Sequence, residues 1–123
     1  MNKVTFHNAI SKLLGVKLGK FTQTKQTELT LPVCLEIYTM IFDTVVSVFE
    51  PTNVKLTNEA MNYIAQQYYD AIEINGKHEL NPNIFTQRAK VDLIETKELA
   101  LLAMMMKGTD FQLPIMHEIK RRS

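Results

Sequence analysis

Apolar residues recur with the period of an α-helix along most of the chain. The first set forms one face of a short helix that we expect to end at Gly15: Phe6, Ile10, Leu13 and Leu14. Residues 15–30 are rich in threonine and glutamine and show no such period. For that segment we predict an extended arm or linker, with room for a brief strand.

The most apolar stretch, residues 31–49, predicts the central helix of the core. Pro32 suits the first turn, where a missing backbone N–H costs nothing, and Pro51 ends the helix. The polar exceptions form one narrow stripe: Glu36, Thr39, Asp43, Ser47 and Glu50. A lipid-facing span would not tolerate Glu36 and Asp43 cheaply, so the pattern favours a helix surrounded by protein.

The next helix has a clear start, because Thr57 can cap it while Leu56 and Met61 occupy the hydrophobic-staple positions. Its predicted buried face comprises Met61, Ile64, Ala65, Tyr68, Ala71 and Ile72. The side chains expected to point away are Asn62, Gln66, Gln67, Asp70 and Glu73. Asn75-Gly76 then ends the helix with a left-handed cap, or else forms the turn of a hairpin between residues 72–74 and 77–80.

Residues 77–88 are predicted to form a loop, and a further long helix follows from Leu93 to Lys107. Asp92 followed by Glu95 resembles a capping box, and Gly108 is placed as the stop. A start nearer Thr96 is the alternative. A last short helix begins near residue 114 and runs into the basic tail.

Together these elements predict a single all-α domain, a small bundle of three long and two short helices. At 123 residues, with 46% apolar and 22% charged residues, the composition is that of one globular domain. We divide the chain into residues 1–30 (short helix and basic arm), 31–119 (helical body) and 120–123 (basic tail).

The charge is unevenly distributed although the formal net charge is only +1. Residues 1–27 carry five lysines and no acidic residue: Lys3, Lys12, Lys17, Lys20 and Lys25. The chain ends with Lys120, Arg121 and Arg122, whereas residues 28–119 hold six basic residues and all thirteen acidic ones. Because the body is acidic and both ends are basic, the ends are suited to acidic protein surfaces; contact with nucleic acid is the less favoured use.

Residue types that carry catalysis or bind metals are isolated from one another. The three histidines, at positions 7, 78 and 117, lie far apart with no Glu-x-x-His pair. The only cysteine, Cys34, excludes an intramolecular disulfide, and its apolar neighbours favour core packing over a reactive thiol. Glu36 and Asp43 lie about 10 Å apart along one helix face. This arrangement is typical of a solvated stripe, and it would also suit a binding surface for a basic partner. Phosphate-binding glycine motifs are absent.

We therefore predict no catalytic residue, cofactor, metal or small-molecule substrate, and we look for interaction surfaces instead. Met104, Met105 and Met106 point in three adjacent directions of a helix and cannot all face one small core. The candidate interaction residues are these methionines, Phe21 and the basic residues of both ends. No signal peptide is present, so the expected location is intracellular or within a virion.

The leading hypothesis is a non-enzymatic structural protein that self-associates or packs against other structural proteins. In architecture the chain resembles small all-helical assembly proteins of tailed bacteriophages, such as head–tail connector adaptors, in which a compact helical body carries arms that reach neighbouring subunits. A second hypothesis is a small regulator or inhibitor that binds a host protein or nucleic acid. A third is an enzyme whose site is completed between subunits.

Overall fold

The protein is an all-α small bundle, as predicted. The computed structural model describes residues 5–24, 29–52, 55–72, 80, 84–85 and 87–123. Within these ranges the helices are α1 (Thr5–Thr24), α2 (Leu31–Phe49), α3 (Asn58–Ala71), α4 (Thr96–Met105) and α5 (Gln112–Arg122), with short 3-10 turns at Glu50–Thr52 and Val91–Leu93. Three helices are long and two are short, but the long ones are the first three.

Helix α1 does not end at Gly15, so the prediction of an extended arm over residues 15–24 is wrong. The helix continues because its buried side keeps the same period: Ile10 and Leu14 are buried, and Leu18 and Phe21 pack against the core. This burial offsets the roughly 1 kcal/mol that a glycine costs inside a helix. The rest of the predicted arm, residues 25–28, lies outside the described residues, and Leu29 and Thr30 are not helical.

Helix α2 is the central element, because both α1 and α3 pack against it. Thr30 caps its amino terminus, with its hydroxyl oxygen accepting a hydrogen bond from the backbone N–H of Val33, 3.4 Å away. Its buried side chains are Cys34, Ile37, Ile41, Thr44, Val45 and Phe49. The predicted polar stripe is exposed along its whole length. The helix ends at Phe49, two residues before Pro51, as the sequence indicates.

By length and composition alone, α2 would also qualify as a helix able to cross a membrane. Core helices of soluble proteins often share these properties, and α2 packs along its length against two neighbouring helices. Its exposed side carries Glu36 and Asp43, whose transfer into lipid would cost free energy. The buried side of α2 faces these two helices, and 28% of its most apolar window is buried.

Helix α3 starts as predicted, with the Thr57 hydroxyl accepting a hydrogen bond from the N–H of Ala60. Its buried residues are Ala60, Tyr63, Ile64, Ala65, Gln66, Tyr68 and Tyr69. Two predicted positions are wrong: Gln66 is buried, and Ala71 is exposed. Gln66 is buried because its side-chain oxygen accepts a hydrogen bond from the backbone N–H of Ala89 at 2.9 Å. The helix ends at Ala71 with Ile72 extended, so the prediction that it runs to an Asn75-Gly76 cap is wrong; residues 73–79 lie outside the described residues.

Helix α4 begins at Thr96, the alternative start, and the capping box from Asp92 is not formed. Residue 95 precedes the helix without a side-chain cap, while Val91–Leu93 make a 3-10 turn and Ile94 is buried. Gly108 ends the segment as predicted, with φ of 85°, a conformation that favours glycine. Helix α5 starts at residue 112, two residues before Pro114, and packs against α4.

Candidate interaction surfaces

Large apolar side chains are exposed on four of the helices and in the 3-10 turn before α4. They are Leu13, Val16, Leu31, Leu35, Leu93, Leu101, Met104, Leu113 and Met116. Single exposed apolar residues are normal on a soluble protein, so the informative feature is whether neighbouring ones share a helix face. On all four helices they do, because the two exposed side chains on each lie three or four residues apart.

Helix α5 carries the most exposed of these faces, which we call the α5 outer face: Leu113, Met116, His117 and Lys120. Their spacing of three, four and seven residues from Leu113 places them on one side of the helix. Leu113 is 67% exposed and Met116 is 47% exposed, whereas Ile115 and Glu118 point into the bundle. The face therefore combines apolar area with one lysine at its end.

The three consecutive methionines, all predicted as candidate interaction residues, differ in exposure. Met104 is 61% exposed, whereas Met105 is 7% exposed and Met106 is fully buried. Leu101, three residues before Met104, is also exposed and shares its side of α4. In the folded chain only Met104 of the three is available to another molecule, and the other two fill the core.

The lysine-rich segment proposed for docking is part of a helix. Lys12 and Lys20 are exposed, and together with the exposed Leu13 and Val16 they form what we call the α1 outer face. Lys17 is half-buried and donates a hydrogen bond to the Oγ1 atom of Thr44 at 3.1 Å. Phe21 is half-buried and packs against the core. Lys3 and Lys25 lie outside the described residues.

The exposed polar residues of α2 form the second charged surface, which we call the α2 acidic stripe: Glu36, Thr39, Asp43, Ser47 and Glu50. All five are exposed. Helix α2 contains no lysine or arginine, and α1 contains no aspartate or glutamate. The two helices that pack side by side therefore carry opposite charge on their outer surfaces.

Two of the three basic residues at the carboxyl terminus, which we predicted to form a tail, make side-chain contacts within the chain. The Arg122 guanidinium donates to Glu118 at 2.7 Å, to the carbonyl oxygens of Ile94 and Asp92 at 2.8 and 3.0 Å, and to the Thr96 hydroxyl at 3.0 Å. Arg121 also pairs with Glu118, at 2.6 Å, while Lys120 is exposed. Arg122 is thus used to join α5 to the start of α4.

Two arginines also determine the ionisation of Glu118. Hydrogen bonds from Arg121 and then from Arg122 to its carboxylate lower the pKa of Glu118 to about 2. The carboxylate is therefore charged throughout the neutral and mildly acidic range. The sequence carries a signal for this pairing that the sequence analysis missed, because Arg121 and Arg122 follow Glu118 by three and four residues on a predicted helix.

A cleft of about 380 Å³ between α2, α3 and residues 84–93 was not predicted from the sequence. The rings of Tyr38 and Phe85 meet edge to face at 4.9 Å, and the Tyr38 hydroxyl donates to the side-chain oxygen of Asn62 at 2.6 Å. The Arg88 guanidinium lies 5.0 Å from the centre of the Phe85 ring and pairs with Asp70. Aromatic and arginine side chains of this kind are enriched where proteins bind partners.

A second cleft, of about 290 Å³, lies beside His7 and Tyr68. The His7 Nδ1 atom is 2.9 Å from the Tyr68 hydroxyl, its ring stacks on Tyr68, and its Nε2 atom is 3.5 Å from the Ser11 hydroxyl. Burial raises the pKa of Tyr68 well above its ordinary value, so the phenol is neutral at physiological pH. The contact with Ser11 is long for activation of a nucleophile.

Metal-binding side chains do not gather among the described residues: no group of three His, Cys, Asp or Glu residues is placed to hold an ion. Cys34 is buried, with its thiol 3.8 Å from the carbonyl oxygen of Leu29. His117 is exposed on α5, and His78 lies outside the described residues.

Comparisons with models of protein families, with curated proteins and with solved structures found no significant match. Functional arguments for this chain therefore rest on its own residues.

Proposed function

We propose that this protein is a non-enzymatic assembly protein that packs against neighbouring chains, including copies of itself, through its outer helix faces. The observation that carries the proposal is the α5 outer face, where Leu113 and Met116 lie one helical turn apart and both are exposed. Burying such side chains against a partner removes apolar area from water, at about 25 cal/mol per Å². The lysine beside them supplies a charged rim.

The position of the exposed faces favours an assembly of more than two chains. The α1 outer face and the α5 outer face belong to different helices, which pack against different neighbours in the bundle. A subunit with two separate contact faces can bind two neighbours at once, which leads to a ring when the rotation closes. The resemblance to head–tail connector adaptors makes a ring of identical subunits within a bacteriophage particle the specific form of this proposal.

The experiment that tests self-association is the absolute mass in solution, measured by light scattering behind a sizing column over a range of protein concentrations and at two salt concentrations. We expect a discrete oligomer whose population falls as salt rises, because charged rims contribute to the contacts. A monomer under all these conditions would overturn the self-association.

A pair of variants tests which surface is used. Leu113→Glu places a charge on the α5 outer face and is expected to reduce the oligomer while leaving the helical circular dichroism unchanged. Asn58→Glu adds the same charge at an exposed position in the first turn of α3, where a carboxylate is favoured, and serves as the control. If both variants form as much oligomer as the wild type, the α5 outer face is not the surface that binds the neighbouring chain.

The cleft beside Tyr38 supports a second candidate, a small regulator that binds one partner protein. Phe85 and Arg88 form its aromatic and basic wall, and the exposed Leu93 lies at the same cleft. A regulator of this kind would be monomeric alone and would form a stoichiometric complex that Phe85→Ala weakens. Light scattering therefore separates the two candidates before any partner is known.

A further inference from the structure

We propose that residues 87–94, which we call the strap, open and close as one unit beside the Tyr38 cleft, and that Arg122 at the end of α5 holds the strap closed. One wall of this cleft is formed by five residues of the strap: Gln87, Arg88, Ala89, Lys90 and Leu93. Helices α2 and α3 supply most of the remaining lining. A device of this kind does not require the proposed self-association.

Little apolar area holds the strap on the bundle. Ile94 is its only buried residue, Ala89 and Val91 are half-buried, and the other five residues are exposed. Segments with few buried apolar contacts open at a lower free energy than the core of the same protein. The strap therefore depends on polar contacts, and these lie at its two ends.

The first end of the strap is attached to α3. The backbone N–H of Ala89 donates to the Oε1 atom of Gln66 at 2.9 Å, and the Arg88 guanidinium pairs with Asp70. Gln66 is 4% exposed, so its side chain is fixed within the bundle. The cleft is closed on this side by one hydrogen bond to a buried acceptor and one exposed ion pair.

The second end is attached to α5 through Arg122. Its Nη1 atom donates to the carbonyl oxygen of Ile94 at 2.8 Å, and its Nη2 atom donates to those of Asp92 and Val91 at 3.0 and 3.4 Å. A planar guanidinium with several donors can bind three carbonyl groups at once, whereas an ammonium group on a lysine cannot match this arrangement. The Glu118 carboxylate accepts from the Arg122 Nε atom at 2.7 Å and holds the guanidinium in place.

A hydrogen-bonded turn connects the two ends. The N–H of Leu93 donates to the carbonyl oxygen of Lys90 at 3.1 Å, and the N–H of Ile94 donates to that of Val91 at 3.3 Å. Because this turn joins the residues bound by Arg122 to those bound by α3, release at one end loosens the other. The position of α5 and the shape of the cleft are then linked, and such a linkage acts equally in both directions.

Hydrogen exchange of single amides, followed by NMR on the full chain, tests the separate opening. The informative amides are those of Ala89, Leu93 and Ile94 in the strap, compared with Ile41 and Ile64 in the core. In the wild type we expect lower protection factors for the three strap amides, with a weaker dependence on added denaturant because a local opening exposes little surface. If the strap and core amides share one protection factor and one denaturant dependence, the strap does not open separately and the inference is wrong.

Arginine variants test the clamp. Arg122→Gln removes the guanidinium and should lower the protection factors of all three strap amides by about tenfold or more. Arg121→Gln is the matched control, because the Arg121 side chain is exposed and bonds to Glu118 alone among the described residues; we expect a change below about threefold. Arg122→Lys is the milder variant if Arg122→Gln does not fold. Equal effects of the variants at positions 121 and 122 would overturn the role of Arg122.

A variant at the other end tests whether the strap opens as one unit. Gln66→Met removes the acceptor of the Ala89 N–H without adding a charge, and Asp70→Asn is a milder change at the same end, where the ion pair is exposed. We expect either substitution to lower the protection factors of Ala89, Leu93 and Ile94 by one common factor. A change confined to Ala89 would show that the two ends move independently, which contradicts the proposed unit.

Discussion

The carboxylate of Glu98 on α4 accepts two hydrogen bonds from Thr57, the residue that caps α3. Its Oε2 atom lies 2.8 Å from the Thr57 backbone nitrogen and 3.1 Å from the Thr57 hydroxyl, which in turn accepts from the N–H of Ala60. The glutamate is buried, so its charge is compensated by these donors and by the positive end of the α3 dipole. One acidic side chain thus holds two helices together.

Removing this carboxylate should destabilise the fold. We expect Glu98→Ala to lower the free energy of unfolding by about 1–3 kcal/mol, because it leaves the Thr57 N–H without its acceptor. Glu98→Gln should lose less, since it keeps one oxygen. Urea denaturation measures the difference, with Glu95→Ala as the control because Glu95 is exposed three residues earlier. Equal losses for Glu95→Ala and Glu98→Ala would contradict this account.

Arg122 and Arg121 are adjacent, yet their removal should have different consequences. Arg122→Ala removes bonds to Glu118, to three backbone carbonyl groups and to Thr96, and we expect it to cost about 1–3 kcal/mol of unfolding free energy. Arg121→Ala should cost less than Arg122→Ala, because the Arg121 side chain is exposed and bonds to Glu118 alone among the residues described. Thermal unfolding compares them. Similar melting temperatures for both variants would contradict a larger role for Arg122.

The paired Glu118 should make stability depend on pH in the acidic range. Its pKa is lowered from 4.5 to about 2, so its contribution is fully present above about pH 4.5 and is lost as the pH falls towards 2. Glu118→Gln should be less stable than the wild type at pH 7, and the difference should shrink across that window. Unfolding curves at pH 7, 4, 3 and 2 measure it; a constant difference at all four values would be inconsistent with the lowered pKa.

Glycine substitutions test the length of α1. Around Gly15 nothing lies within 4 Å of the position that a Cβ atom would take, so Gly15→Ala should stabilise the protein by about 0.5–1 kcal/mol if the helix continues through it. Gly108→Ala should destabilise by about 1–2 kcal/mol, since its φ of 85° is unfavourable for alanine. Chemical denaturation distinguishes the two signs. Destabilisation by Gly15→Ala would indicate that residue 15 lies in a turn rather than within a helix.

The methionines of α4 provide a direct test of burial. Met105→Glu puts a charge into the core and should unfold the domain or cost at least about 3 kcal/mol. Met104→Glu should leave the helical content and melting temperature nearly unchanged, because the side chain is 61% exposed. Circular dichroism follows both. A folded Met105→Glu that has lost only its association would mean that Met105 lies on an interface instead.

Much of the helical framework was predictable because its causes are local. Thr57 with Leu56, Pro32 with Pro51, and Gly108 each act on backbone groups within a few residues, and the structure has these boundaries where the sequence places them. The polar stripe of α2 was equally predictable, because side chains three or four residues apart share one face of a helix whatever surrounds that helix.

The remainder depended on partners that are distant along the chain. From the sequence, Gly15 is predicted to end its helix. The helix continues because Leu18 and Phe21 pack against the core. Gln66 is on the inside because Ala89, 23 residues later, offers its N–H. Arg122 reads as part of a free basic tail, but carbonyl groups near the start of α4 bind it.

The sequence by itself therefore determined where α2 and α3 begin and which face of α2 is polar, because periodicity and capping act over a single turn. Only the tertiary structure decided how each face is used. Whether a lysine, glutamine or arginine remains in water depends on whether a hydrogen-bonding partner on another element lies within about 3 Å, and that proximity exists only after the helices have packed.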